Sequence, residues 1–167
     1  ELMAHTYSSL YGLRTIGLRF FTVYGPWGRP DMALYIFTKA IIENKSIDLF
    51  NEGDHTRSFT YINDITEPIQ RLIKINYEDN NVLSNHEIFN IGGAKPIKLL
   101  RFIDIIEEYL GQKAKINLKP MQQGDVRATN ADIKKLENIT GYKPQTNIEE
   151  GIKKFIDWYM NYHHLSI

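Results

Sequence analysis

Apolar positions along the chain switch between two periods. Leu2, Met3, Tyr7, Leu10 and Tyr11 recur at helical spacing and stop at Gly12, which predicts an opening helix. Residues 15–24, TIGLRFFTVY, are instead β-branched and aromatic with hardly a polar break, the pattern of a strand buried on both faces of a parallel sheet. Gly25-Pro26-Trp27-Gly28-Arg29-Pro30 then interrupts regular structure just past that strand's carboxyl end, where ligand loops sit in α/β proteins. A helix is predicted over 31–44 with Asp31 as its cap, followed by a short strand over 47–50 and a polar turn over 51–56.

Alternation resumes in Ser58-Phe-Thr-Tyr-Ile62, which reads as a strand leading into a helix over 65–75. Asn63 or Asp64 is the expected cap, and Pro68 falls in the expected first turn, where proline is tolerated. The Asn- and Asp-rich stretch 76–86 predicts a loop. Strand, turn and helix then recur: residues 87–91, Gly92-Gly93, and an amphipathic stripe of Leu99, Phe102, Ile103, Ile106 and Leu110 ended by Gly111. A weak strand over 115–118 and helices over 130–138 and 148–162 complete the chain, the last with Ile152, Phe155, Ile156 and Tyr159 on one face. Strands alternating with helices make this an α/β chain, with helices segregated toward the end.

Composition narrows the chemistry. With 167 residues the chain holds one large domain or two small ones. Twenty Lys+Arg against twenty Asp+Glu give zero formal charge, so no global field draws a nucleic acid or an anionic membrane, and neither is an expected partner. The absence of cysteine excludes a disulfide framework, a thiol nucleophile and a cysteine zinc site. His5, His55, His86, His163 and His164 show no metal-ligand spacing with carboxylates; no metal site is expected, and they read as surface residues. No apolar run approaches the roughly 20 residues that span a bilayer, and no leader pattern opens the chain, so a cytoplasmic location is expected.

The string Leu18-Arg-Phe-Phe-Thr-Val-Tyr-Gly-Pro-Trp-Gly-Arg-Pro-Asp-Met-Ala33 resembles the segment after the catalytic helix of extended short-chain dehydrogenase/reductases, and is most similar to UDP-glucuronate 4-epimerases. Three further blocks follow in the family's order: Arg57-Ser-Phe-Thr-Tyr-Ile-Asn-Asp64, Phe89-Asn-Ile-Gly-Gly93, and Met121-Gln-Gln-Gly-Asp-Val126 with Ala131-Asp132. Gly141-Tyr-Lys-Pro144 with Ile148-Glu-Glu-Gly-Ile152 resembles the final helix. The resemblance implies the last elements of a Rossmann-type parallel sheet (residues 1–30) plus a small α/β substrate-binding domain (31–167), with 86–111 returning a strand and helix to the Rossmann layer. The family's Gly-rich fingerprint, its active-site Ser or Thr and its Tyr-x-x-x-Lys pair do not occur here. The chain thus reads as the carboxyl-terminal half of an epimerase, catalytically inert by itself, with NAD bound mainly by the other half and a homodimer common among relatives.

The same resemblance assigns roles. Arg57 matches the family's phosphate arginine, whose planar fork suits diphosphate oxygens. Backbone N–H groups near Met32 would add a helix-terminus contribution. The edge Asp48-Leu49-Phe50 matches the uracil slot, while Gln122 and Asp125 fall where ribose and phosphate contacts are made. Many relatives have arginine in place of Gln122, and Arg-Asp in place of Arg57-Ser58. Thr22 stands where galactose-type epimerases carry asparagine and where glucuronate enzymes hold the C6 carboxylate; Arg29 either neutralises that carboxylate or moves as the site closes. Phe20 and Val23 match positions beside the nicotinamide.

Without the resemblance these residues read more plainly. Arg57 is then a surface or stacking arginine, Thr22 a β-branched strand residue, Asp125 the close of the turn at Gly124, Gln122 a solvent-facing side chain and Arg29 half of a loop salt bridge. Two other functions remain open: half of a nucleotide-sugar 4,6-dehydratase, or a non-catalytic nucleotide-sugar binding or assembly module.

Overall fold

The computed structural model describes residues 1–75, 84–93 and 95–165, so most of the loop expected over 76–86 lies outside the described residues. In chain order the elements are α1 (Leu2–Tyr11), β1 (Thr15–Phe20), β2 (Val23–Tyr24), α2 (Ala33–Ile42), β3 (Ser46–Leu49), β4 (Thr56–Arg57), β5 (Thr60–Tyr61), α3 (Asn63–Lys74), β6 (His86–Ile91), β7 (Ile97–Lys98), α4 (Leu99–Leu110), β8 (Lys115–Leu118), α5 (Lys134–Thr140) and α6 (Ile148–Tyr162). Helices α1 and α4 stop where their glycines dictate, Gly12 and Gly111 both taking the left-handed conformation that side chains resist. Three strand pairs are parallel, β1 with β6, β2 with β5 and β3 with β8, while β4 and β7 run antiparallel.

Several expected boundaries shift for identifiable reasons. The single strand expected over 15–24 divides at Phe21 and Thr22, and Thr22 has a positive φ of 29°. Nor is its first part buried on both faces: β1 is half-buried to exposed, and Phe20 is 52% exposed. Helix α2 starts after Met32, not behind an Asp31 cap, because the Asp31 carboxylate is taken by Arg29. Helix α3 begins at Asn63, which puts Pro68 beyond the first turn, and Asp64 turns inward instead of capping. The helix expected over 130–138 is α5, shifted later. The residues before it are held against the β4 segment, Thr129 N–H donating to Thr56 O at 3.1 Å and Ala131 N–H to Ser58 Oγ at 3.3 Å.

Packing divides the apolar residues into two bodies. The larger joins α2, α4 and α6 around Phe37, Ile41, Phe102, Ile106, Ile152, Phe155 and Tyr159, with Tyr24 reaching in from β2. The smaller lies against the β1 and β6 pair, where Ile65 and Leu72 of α3 meet Phe89, Ile91 and Leu136. Residues 86–111 are therefore shared: strand β6 lies beside β1, whereas α4 packs on α2 and α6. Gly151 lets α6 close on Tyr24, since a Cβ there would fall 2.1 Å from the Tyr24 hydroxyl. Asp64 ties the segment before α6 to α3, accepting from Tyr142 Oη at 2.5 Å, Gln145 N at 3.1 Å and Thr146 N at 3.2 Å.

The two bodies meet at the Thr22 kink. Thr60, 1% exposed, donates its hydroxyl to Phe21 O at 2.5 Å and accepts from Gly93 N at 2.9 Å, while Thr60 N donates to Thr22 O at 3.0 Å. Gly93 passes so close to the neighbouring backbone that a Cβ would sit 2.2 Å from Phe59 O. One hydroxyl thus joins the end of β1, the start of β5 and the turn after β6.

Replacing that hydroxyl tests it. Thr60→Val keeps the shape but leaves the Phe21 carbonyl and Gly93 amide unpaired in a buried site, so urea unfolding should show a loss of about 1–3 kcal/mol that Thr60→Ser recovers. Equal stability of the valine variant would show that the hydroxyl does not hold the kink.

The buried phenols predict alkaline behaviour. Burial pushes Tyr159 up to about 12, helped by Tyr35 and Glu43; burial and the Asp64 carboxylate raise Tyr24 and Tyr142 further. A raised folded value means the native state holds these protons more tightly than the unfolded chain does. Their stabilisation is complete below about pH 10 and is lost as pH climbs through the folded values. Circular dichroism should show cooperative loss of helix above about pH 10, moved to higher pH by Tyr159→Phe. Phenolate absorbance from all three at full helical signal would contradict this.

Candidate functional site

Two clefts share Thr22 and Met32 as a common wall. One, of about 410 Å³, is lined by Asp48, Leu49, Phe50, His55, Arg57, Phe59 and Asp125 together with that pair. The other, of about 430 Å³, brings Phe20, Val23, Trp27 and Arg29 to the same two residues. The sequence-predicted residues are therefore gathered into one region from five stretches of chain, Gln122 excepted. Gln122 is exposed and lines neither cleft; its carbonyl accepts from Asp125 N at 3.3 Å across the turn at Gly124.

Each residue arrives by a local constraint. Thr22 faces the clefts because the kink takes it out of the strand. Met32 is the N-terminal flank of α2, and its own N–H donates to Arg29 O at 3.1 Å, so that amide is already engaged. Asp48 and Leu49 end β3, Asp48 accepting from Asn117 Nδ2 at 3.1 Å and the Leu49 carbonyl from Lys119 N at 2.8 Å; Phe50 opens the tight turn Phe50–Gly53 beyond them. Trp27, with φ of 63°, leans its ring on Trp158 and Tyr162 and so fastens the 25–30 loop to α6.

The charged centre is Arg57 with Asp125. Arg57 Nη2 donates to Asp125 Oδ1 at 3.0 Å, and Nη1 to the carbonyls of Thr56 at 3.2 Å and Arg127 at 3.1 Å. Asp125 Oδ1 also accepts from Val126 N at 2.8 Å. Arg57 is held by several partners at once, which fixes its fork in the wall of the cleft. Arg29 differs: its guanidinium pairs with the exposed Asp31 carboxylate, whose hydrogen bond raises the guanidinium's value while holding the carboxyl below its ordinary range. Such an exposed pair contributes little and exchanges readily.

Two contributors escaped the sequence reading. Thr60 bears no mark in sequence beyond its place in a strand. His55, expected at the surface, is 5% exposed and lines the cleft. A signal for it existed, because residues alternating in extended chain share a face, and His55, Arg57 and Phe59 are spaced by two. His86 and His163 are also partnered, with Thr15 Oγ1 at 2.6 Å and Tyr35 Oη at 3.0 Å. Among the described residues no group of three or more His, Asp or Glu side chains could hold a metal ion, and no helix is long and apolar enough to cross a membrane.

The chain matches the GDP-mannose 4,6 dehydratase family over residues 1–155. An uncharacterized protein of Methanocaldococcus jannaschii is 51% identical over 160 residues, a match covering 96% of this chain and 47% of that protein. A probable UDP-glucuronate 4-epimerase of Rhizobium meliloti is 46% identical over 171 residues, covering 95% of this chain and 50% of the relative. Among solved structures, UDP-glucuronic acid 4-epimerase from Bacillus cereus in complex with UDP-glucuronic acid and NAD superposes with a TM-score of 0.88 at 30% identity, over 96% of this chain and 50% of that one. The chain spans about half the length of the curated relatives it matches. Its ordered motifs, its parallel strand pairs and these likenesses agree: the chain belongs to the GDP-mannose 4,6 dehydratase family of extended short-chain dehydrogenase/reductases, with their Rossmann-type α/β fold.

Proposed function

We propose that this chain is the nucleotide-sugar-holding part of an NAD-dependent 4-epimerase acting on UDP-glucuronate. The observation that carries this reading is the convergence of Arg57, Asp125, Thr22, Met32 and the Asp48–Phe50 edge on one cleft that shares a wall with the cleft of Phe20, Val23 and Arg29. A 4-epimerase must let a keto sugar turn over without losing it, so binding is best concentrated on the nucleotide and diphosphate. Arg57 is the diphosphate anchor in this reading, and the end of β3 with Phe50 is the uracil slot. Thr22 donates to the C6 carboxylate from the wall between the clefts. Arg29 exchanges Asp31 for that carboxylate at little cost, since both are exposed.

The apolar, half-exposed wall of Phe20 and Val23 fits a flat nicotinamide ring, so these residues would hold that end of NAD. Bound there, NAD would supply reversible hydride transfer at sugar C4, a chemistry that leaves no net change in atoms. The Tyr and Lys of that chemistry fall, on the family resemblance, outside these 167 residues.

Two measurements in the full-length protein test the reading. Arg57→Ala removes charge-assisted hydrogen bonds of about 1.5–3 kcal/mol and should weaken UDP binding about 10- to 150-fold by calorimetry. Unchanged affinity in a folded variant would take Arg57 out of the site.

For Thr22 the kink decides the probe: at φ 29° a second β-branched methyl in place of the hydroxyl is strained, so alanine is the cleaner deletion. Conversion of UDP-glucuronate to UDP-galacturonate should be observed in the parent protein. Thr22→Ala should lower kcat/KM for UDP-glucuronate relative to UDP-glucose about tenfold, with Thr22→Ser restoring it and UDP affinity unchanged. Loss of water from the sugar instead of inversion would favour a dehydratase.

A further inference from the structure

His55 is the one cleft residue whose chemistry the reading above leaves unused. Its ring is 5% exposed, and Nε2 lies 2.9 Å from Asp125 Oδ2 yet, among the described residues, makes no aligned hydrogen bond to it or to any other group. A buried polar nitrogen in that state is unusual and calls for a reason. Asp125 is at the same time the acceptor for Arg57, through its other oxygen. One carboxylate therefore stands between a permanent cation and a group that becomes a cation on taking up a proton.

We propose that His55 is a positioning residue: its protonation draws Asp125 away from Arg57, so that the cleft takes up a proton together with its anionic ligand. The inference rests on the reading of Arg57 as the diphosphate anchor. With the imidazole neutral, Arg57 and Asp125 cancel and the arginine is held by its carboxylate. With the imidazole charged, the trio carries one net positive charge and Asp125 has a competing partner, which leaves the guanidinium fork open to phosphate oxygens. The other charged groups on elements around the ring are Asp54 beside it in sequence, Asp31 and Asp48 in the cleft wall, Lys98 opposite Thr56 on β7, and Arg127 on the segment bonded to Thr56. Asp31 is engaged by Arg29 and Asp48 by Asn117, so Asp125 is the acid set to answer a change in His55. The linkage is reciprocal: an anion that favours the charged imidazole binds more tightly where that proton is available, and affinity must rise as pH falls.

Calorimetry on the full-length protein with UDP-glucose decides the matter, because that diphosphate ester has no titrating group of its own across the range in which an imidazole takes up its proton. Affinity should tighten about fivefold or more from about pH 8 to about pH 6, with proton uptake seen as a dependence of the heat on buffer ionisation. His55→Gln should bind with a flat pH profile, and so should Asp125→Asn, which removes the shared acceptor. Should His55→Gln fail to fold by circular dichroism, His55→Met takes its place, and the parent protein's proton uptake still bears on the claim. A flat parent profile overturns the inference, as does an undiminished slope in the His55 variants or a loss of affinity equal at both pH values. No binding of UDP-glucose at any pH rejects the nucleotide-sugar reading and this inference with it.

Discussion

The arrangement depends on one buried hydroxyl. Thr60 Oγ1 sits between the Phe21 carbonyl and the Gly93 amide, and its backbone amide holds the Thr22 carbonyl. Without those bonds a run such as Leu18-Arg-Phe-Phe-Thr-Val-Tyr24 would continue as a strand, its β-branched and aromatic side chains favouring extended backbone throughout. The bonds reward a break instead. At the break the chain leaves β6 for β5, and Thr22 moves from a sheet face to the wall between two clefts. Gly93 is part of the same constraint, because only a residue without Cβ can bring its amide so near Phe59.

Helix α6 supplies the second fixed point. It receives Tyr24 at Gly151 and Trp27 at Trp158 and Tyr162, and so holds the first half of the 25–30 loop. Asp64 reaches the segment before α6 from the opposite body of the core. The cleft walls are thereby attached to packed helices, while the Arg29 and Asp31 side chains pair with each other on an exposed stretch. Rigid walls with one exchangeable ion pair are what the proposed function asks for, since it needs a nucleotide held while a sugar turns.

What the sequence revealed follows the range of the forces involved. Local signals read well: Gly12 and Gly111 ended their helices, the α4 stripe of Phe102, Ile103, Ile106 and Leu110 is core, and even the weak strand at 115–118 forms, paired with β3. Charged residues misled where another partner, near in sequence for Asp31 and far for Asp64, took the carboxylate from the helix end. Asp31 and Asp64 have the chemistry of helix caps, yet Arg29 claims one, and Tyr142 with two backbone amides claims the other. The Thr22 kink was invisible because its cause lies far along the chain, in Thr60 and Gly93. Among the site residues, Arg57, Asp125 and Thr22 were named through the order of the motifs, which no periodicity would have supplied.

On the proposed function, the Arg57–Asp125 pair also accounts for how an arginine offered to phosphate can sit in a net-neutral chain without drawing every passing anion. Half-buried beside a carboxylate, Arg57 presents its fork with the charge already balanced. A ligand must then supply something a free phosphate lacks, such as further contacts along β3 and Phe50. In that proposal, selectivity for a nucleotide diphosphate comes from the difficulty of releasing the arginine as much as from the attraction it exerts. A bare cation in the same wall would bind more tightly and discriminate less.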